Sequence, residues 1–252
     1  MSEMLTIDGL WKSFAGFVAV RDVSLTLDAG ETHAVIGPNG AGKTTFFNLI
    51  TGHMRASRGS ILFDGKDIGG LAPERVVRLG IARSFQRINI YPRLSVFENV
   101  QVAVIARDGR HLDFIRPGRG MARPETQELL ALVGIETRAT DVAGELSYGM
   151  QKQLELAIAL AARPRLLLLD EPTAGMSPQE TTRAIALIRE IVRARGLTLL
   201  FTEHDMAVVF GIAQRISVLH HGEIIASGSP EAVRSDPEVR RVYLSEGRRG
   251  AA

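Results

Sequence analysis

Short apolar runs bounded by glycine and polar residues alternate with stretches of helical spacing along this chain. Met4–Leu10 and Val18–Leu27 alternate apolar and polar positions as half-buried strands do, and Trp11–Gly16 between them has the aromatic and glycine content of a turn. Glu31–Ile36 reads as a strand ending in glycine. From Lys43 the spacing becomes helical and stops near Gly52, so the chain runs strand, glycine loop, helix. Ile61–Phe63 and Ile81–Phe85 read as strands on either side of a short helix at Pro73–Leu79.

After Gln86 the pattern changes. Ser95–Arg107 and Pro124–Val133 suit helices, and Asp108–Arg123 between them is a loop rich in Gly, Pro and Arg. The earlier alternation then resumes: a helix at Tyr148–Ala162, the apolar strand Arg165–Leu169, a helix at Pro178–Arg195 and the strand Leu197–Thr202. Continuous apolar strands alternating with helices predict an α/β fold around a buried, mostly parallel sheet. A hairpin follows, Arg215–Leu219 and Glu223–Ala226 turning at His221-Gly222, then two short helices ending near Leu244, and a tail at Gly247–Ala252 expected to fray. The expected organisation is a core of residues 1–86 and 148–234, an inserted helical subdomain at 87–147, and a C-terminal helix and tail at 235–252.

Composition narrows the picture by exclusion. The 252 residues are 45% hydrophobic and 23% charged, the balance of a globular protein with a sizeable core. A formal charge of +2 gives no basic field, so no nucleic-acid partner is expected. Cysteine is absent, which removes disulfides, thiolate catalysis and cysteine metal sites. The start carries an acid and no apolar core of a secretory signal, and the longest apolar run, Leu156–Ala162, is far short of the roughly 20 residues that span a bilayer. Any membrane role is therefore expected to be peripheral.

Chemistry enters with Gly37-Pro38-Asn39-Gly40-Ala41-Gly42-Lys43-Thr44, followed by Thr45. It fits G-x-x-x-x-G-K-[ST] between a strand and a helix, where glycines let backbone N–H groups curl around phosphate oxygens at a helix N-terminus. Lys43 would reach the β- and γ-phosphates and Thr44 would ligate Mg²⁺. Such a loop needs a carboxylate for its metal, and Leu166–Leu169 leads into Asp170-Glu171. Asp170 suits the metal; Glu171, pointing elsewhere by strand alternation, is the candidate general base for an attacking water. Three weaker features join them. Gln86 closes a strand where an amide could touch metal or water. Ser147 and Gly149 open a helix as a second anion cradle, and His204 ends a strand where it could hold a γ-phosphate or water. By contrast, His33, His53, His111, His220 and His221 show no ligand spacing with a partner acid, and the arginines of 107–123 read as a solvated loop face.

The order of these features resembles the ATP-binding cassette family across essentially the whole chain. That resemblance implies a P-loop NTPase core of RecA type with N-terminal antiparallel strands and the inserted helical subdomain. It makes Gln86 the Q-loop residue, Ser147 and Gly149 the signature residues, Asp170 the Walker B carboxylate, Glu171 the catalytic base and His204 the switch histidine. Phe14 resembles the aromatic that stacks on adenine, with Trp11 as the competing candidate. The family pairs two chains around two ATP molecules, each signature facing the other chain's P-loop, and couples their opening to membrane permeases beside the Q-loop. Here that stretch is 87–100, with Tyr91, Pro92 and Phe97, which equally suits helical core.

The signature departs from Leu-Ser-Gly-Gly-Gln at Tyr148 and Met150. With Ala174-Gly175-Met176, Glu203–Met206 and Pro237–Leu244, the chain is similar to the ATPase subunits of bacterial branched-chain amino acid importers. The resemblance implies ATP and Mg²⁺ as cofactors, permeases and a second cassette as partners, identical or different, and a periplasmic binding protein reached indirectly. It places the chain on the cytoplasmic face of the inner membrane. Urea importers of the same branch and cassettes that export lipid or lipopolysaccharide are the rivals. A DNA- or ribosome-acting cassette and a P-loop metabolic kinase fit less well, the second because it would leave Leu146–Gln151 and His204 without a role.

Overall fold

The computed structural model describes residues 2–84, 88–109 and 122–247. Phe85, Gln86, Arg87, most of the Arg-rich loop with His111, and the tail from 248 lie outside these residues. In chain order the elements are β1 (Glu3–Phe14), β2 (Phe17–Asp28), β3 (Thr32–Ile36), α1 (Lys43–Ile50), β4 (Arg58–Phe63), β5 (Lys66–Asp67), α2 (Pro73–Arg78), β6 (Ile81–Ser84) and α3 (Val96–Arg107). They continue with α4 (Arg123–Leu132), α5 (Tyr148–Ala161), β7 (Leu166–Asp170), α6 (Pro178–Arg195), β8 (Thr198–Thr202), α7 (Met206–Ile212), β9 (Arg215–His220), β10 (Glu223–Gly228), α8 (Pro230–Ser235) and α9 (Pro237–Gly247). They fall into two compact units, one built from residues up to Val76 and from Leu197 onward, the other from Val77–Gly196.

The first unit holds an antiparallel sheet in the order β2-β1-β4-β5. Its apolar positions, Leu5, Ile7 and Leu10 on β1, Val20, Val23 and Leu27 on β2, Ile61 and Phe63 on β4, are buried; alternation accounts for the even steps, and register shifts between Ile7 and Leu10 and between Leu10 and Lys12 for the odd ones. A second layer runs β10-β9-β3-β8, with β3 parallel to both β9 and β8 and β10 antiparallel at the edge. Thr198–Thr202 is buried at every position, which is why its centre, Leu199–Phe201, carries no polar break. The β9–β10 hairpin turns at His221 and Gly222 with φ of 48° and 85°, the double left-handed turn that suits the twist of two-residue hairpins.

Two expectations in this unit need correction. Trp11–Phe14 is not a turn: β1 continues through it, and the connection shrinks to Ala15 and Gly16, with φ of 43° and 93°. Such a turn matches strand twist so well that the flanking strands extend to meet it, and an alanine in the left-handed region is a poor advertisement for it. The helix α7 was also not expected. Its sequence, MAVVFGI, is β-branched and apolar, but the Asp205 carboxylate accepts the Ala207 amide at 2.8 Å and caps it.

The second unit pairs β6 and β7 in parallel, with Arg83 in register with Leu168 and Ser84 with Leu169. All five residues of β7 are buried, each leucine contributing roughly 2 kcal/mol of transfer free energy. α3 packs on α4 and α5, and α5 on β6. Capping boxes start α3 at Ser95/Glu98 and α6 at Ser177/Glu180. Glu125 on α4 receives Arg107 from the end of α3 at 2.5 Å and Arg163, just past α5, at 2.9 Å. These bonds hold its carboxyl down at about 2, Arg107 contributing most, against a burial that alone would raise it.

Candidate functional site

In the first unit, β3 delivers the loop Gly37–Gly42 to the start of α1. Gly37 and Gly42 have φ of 156° and 107°, and a Cβ at either would overlap a backbone oxygen, that of Leu219 or of Ala19. No other residue can hold these two positions. The loop is pinned from outside as well: Gly222 donates to the Ala41 carbonyl at 2.9 Å, and Arg21 donates to the Gly222 carbonyl at 2.8 Å. Asn39 and Gly40 at the loop crest are exposed, as is Thr44, and Thr45 is half-buried. Lys43 is only 7% exposed, its ammonium donating to the carbonyls of Gly37 at 2.5 Å and Pro38 at 3.0 Å. The helix start thus presents amides and a lysine together, an arrangement that favours a phosphate-sized anion.

On the same unit His204 is exposed between β8 and α7, its amide donating to the buried Glu203 carboxylate at 3.1 Å. Phe14 is exposed at the hairpin tip with the Lys12 ammonium 5.0 Å from its ring centroid. Trp11 is half-buried with Arg21 over its ring at 5.9 Å. Sequence reasoning passed over Phe17, paired with Phe14 across the turn and more exposed still. His33 requires a further correction, because it does have a partner acid. Its Nδ1 lies 3.1 Å from Glu31 and its Nε2 2.9 Å from Ser217, which in turn contacts Ser227. Burial would raise the Glu31 carboxyl, but His33 and the Asp28 amide hold it below its ordinary value. Glu31 immediately precedes β3, and its two-residue spacing from His33 was the signal for this contact.

In the second unit Asp170 closes β7 at 2% exposure, its Oδ2 2.7 Å from Arg83 Nη2. Glu171 follows in the left-handed region, φ 51°, so the chain swings out of the sheet at this residue. Ser147 caps α5, its hydroxyl accepting the Met150 amide at 3.4 Å, and is exposed beside an exposed Tyr148. A Cβ on Gly149 would come within 3.2 Å of Glu180, and one on Gly175 within 3.3 Å of the Tyr148 ring. The starts of α5 and α6 therefore lie side by side. Gln151, which sequence reasoning left unassigned, reaches back to the carbonyls of Ala143, Gly144 and Leu146 and braces the loop in front of Ser147. Gly37–Thr45, Phe14 and His204 thus belong to one unit, and Asp170, Glu171, Ser147 and Gly149 to the other. Gln86 lies outside the described residues.

Comparison with known proteins places this geometry in a family. Residues 20–174, more than half of the chain, match the model of the ABC transporter family, and residues 223–244 match that of the branched-chain amino acid ATP-binding cassette transporter. The chain is 37% identical over 250 residues to the high-affinity branched-chain amino acid transport ATP-binding protein LivG of Escherichia coli K12, covering 96% of this chain and 98% of that one. It is also 37% identical over 247 residues to the lipopolysaccharide export system ATP-binding protein LptB of Acidithiobacillus ferridurans, covering 98% of each. Among solved structures it superposes on the ADP conformation of MJ1267, an ATP-binding cassette of an ABC transporter, with a TM-score of 0.87, 31% identity, and 97% and 99% of the two chains covered. It also superposes on the dimeric bacterial cassette MJ0796 with a TM-score of 0.78, 25% identity, and 90% and 99% covered. With a P-loop cradle on one unit and an apolar strand ending in Asp-Glu on the other, the chain belongs to the ABC transporter family as one of its ATP-hydrolysing ATPases.

Proposed function

We propose that this chain energises an importer for branched-chain or related amino acids from the cytoplasmic face of the inner membrane. The observation that carries the reading is the match of residues 223–244 to the branched-chain cassette. Identity alone does not separate import from lipopolysaccharide export, since LivG and LptB are each 37% identical to the chain. Urea import by the same branch remains the second reading within import. No helix among the described residues is long and apolar enough to cross a membrane, so the chain would work against separate permease subunits.

In this reading the P-loop amides of Gly37–Thr45 and Lys43 hold the ATP phosphates, and Phe14 stacks on the base with its exposed ring. Thr44 and Asp170 offer hard oxygen donors of the kind Mg²⁺ takes, with Gln86 as a further ligand. When bound, Mg²⁺ supplies positive charge to the β- and γ-oxygens. Glu171 accepts a proton from the attacking water, and His204 positions that water or the γ-phosphate. Ser147 and Gly149 serve the nucleotide of a second cassette, identical or different, as the dimeric state of the similar MJ0796 suggests. Residues 87–147 form the functional helical subdomain, 1–86 and 148–234 the catalytic core, and 235–252 an appended C-terminal segment. A periplasmic binding protein would deliver the amino acid to the permeases.

Purification from native membranes in mild detergent tests the assignment. Two permeases and a second cassette should accompany the chain, with amino acid-stimulated ATP hydrolysis once the cognate binding protein is added. Recovery of a lipopolysaccharide export assembly would overturn the import reading and leave the ATPase standing.

A further inference from the structure

Arg83, the ion-pair partner of Asp170, has no part in the roles just assigned. Arg83 lies on β6 opposite Leu168 of β7, and Asp170 stands two residues beyond Leu168, hence on the same sheet face. The guanidinium therefore reaches forward by one pleat, about 7 Å, to place Nη2 at 2.7 Å from Asp170 Oδ2. Both side chains are almost wholly buried, at 4% and 3% exposure. A carboxylate so desolvated is unfavourable without a counter-charge, and here a neighbouring strand of the same unit provides one as part of the fold. A cation held this close to Asp170 also repels any second cation approaching the same carboxylate.

We propose that Arg83 is the resident counter-ion of Asp170 and competes electrostatically with Mg²⁺ for it. It keeps the end of β7 intact when no metal is bound and lowers the affinity of Asp170 for Mg²⁺. Arg83 touches neither nucleotide nor water; it is a positioning residue acting through Asp170. The proposal rests on the reading of Asp170 as the metal carboxylate.

The test uses the full chain, with ADP present and Mg²⁺ titrated calorimetrically, alongside thermal unfolding with and without Mg²⁺. Arg83→Met should bind Mg²⁺ at least tenfold more tightly than wild type. It should melt lower without metal and regain part of that loss when Mg²⁺ and ADP saturate it. Arg83→Gln, which can still donate to Asp170, should shift in the same direction and carries the test if the Met variant does not fold. Arg83→Lys, which keeps the charge, should stay within threefold of wild type. Unchanged or weaker Mg²⁺ binding in the neutral variants overturns the proposal, since a purely structural arginine would lower stability without tightening the metal. Asp170→Asn separates the two readings: it should weaken Mg²⁺ at least tenfold while leaving metal-free ADP binding intact. If it does not, the metal role of Asp170 fails and the competition fails with it.

Discussion

Lys43 folds its ammonium onto the carbonyls of Gly37 and Pro38, the loop that its own helix start follows, so its charge is held where phosphate would lie. Lys43→Ala should therefore weaken ATP binding by at least an order of magnitude and abolish hydrolysis, with little change in melting temperature. Fluorescent-nucleotide titration checks this. Retained affinity would mean that the loop amides alone hold the phosphates. The loop was legible in the sequence because spacing dictates it: two glycines whose Cβ would strike backbone, and a lysine at fixed distance, are local demands. Arg83, Gln151 and the His33–Glu31–Ser217 contacts were not read as partners. All of these depend on which strands or loops pair, except the Glu31–His33 contact, which a two-residue step along nearly extended chain brings to one side.

Among the elements, the helices α3, α4 and α5 are joined by Glu125, which takes Arg107 and Arg163 together. A carboxyl held at about 2 in the folded chain, against 4.5 as the ordinary value, contributes stability that is present above pH 4.5 and lost as pH falls toward 2. Glu125→Gln should therefore cost about 1–2 kcal/mol at pH 7, after allowing for the exposure of Arg163. The gap between variant and wild type should close as the pH is lowered below 4. Thermal unfolding at pH 7 and pH 3 reads both effects; an equal gap at the two values would rule out the ion pairs as its source. Helix positions were well anticipated here because capping boxes and proline starts mark them, α6 to the residue. α7 was missed for the opposite reason, an apolar β-branched run whose single cap decides its conformation.

For the molecule as a whole, what the sequence carried was order: P-loop, apolar strand with Asp-Glu, and histidine after the next strand, with the signature helix between. The compact units divide the chain at Val76 and Gly196, positions that no composition shift marks, because strands with the same apolar pattern lie on both sides. The signature offers a prediction at this scale. Ser147→Glu places a charge at the start of α5, on the unit that does not carry Gly37–Thr45. ATP affinity of the isolated chain should stay within twofold of wild type, while hydrolysis by the assembled transporter falls at least a hundredfold. A parallel loss of affinity would show that Ser147 serves the chain's own site.

Glu171, turned out of the sheet after β7 at φ 51°, is proposed to activate the water that hydrolyses ATP. Glu171→Gln keeps volume and hydrogen bonding and removes only the base. ATP turnover by the purified complex carrying this substitution is the most direct measurement. The account predicts a loss of about 10²–10⁴-fold with ATP affinity unchanged; hydrolysis at the wild-type rate would contradict it.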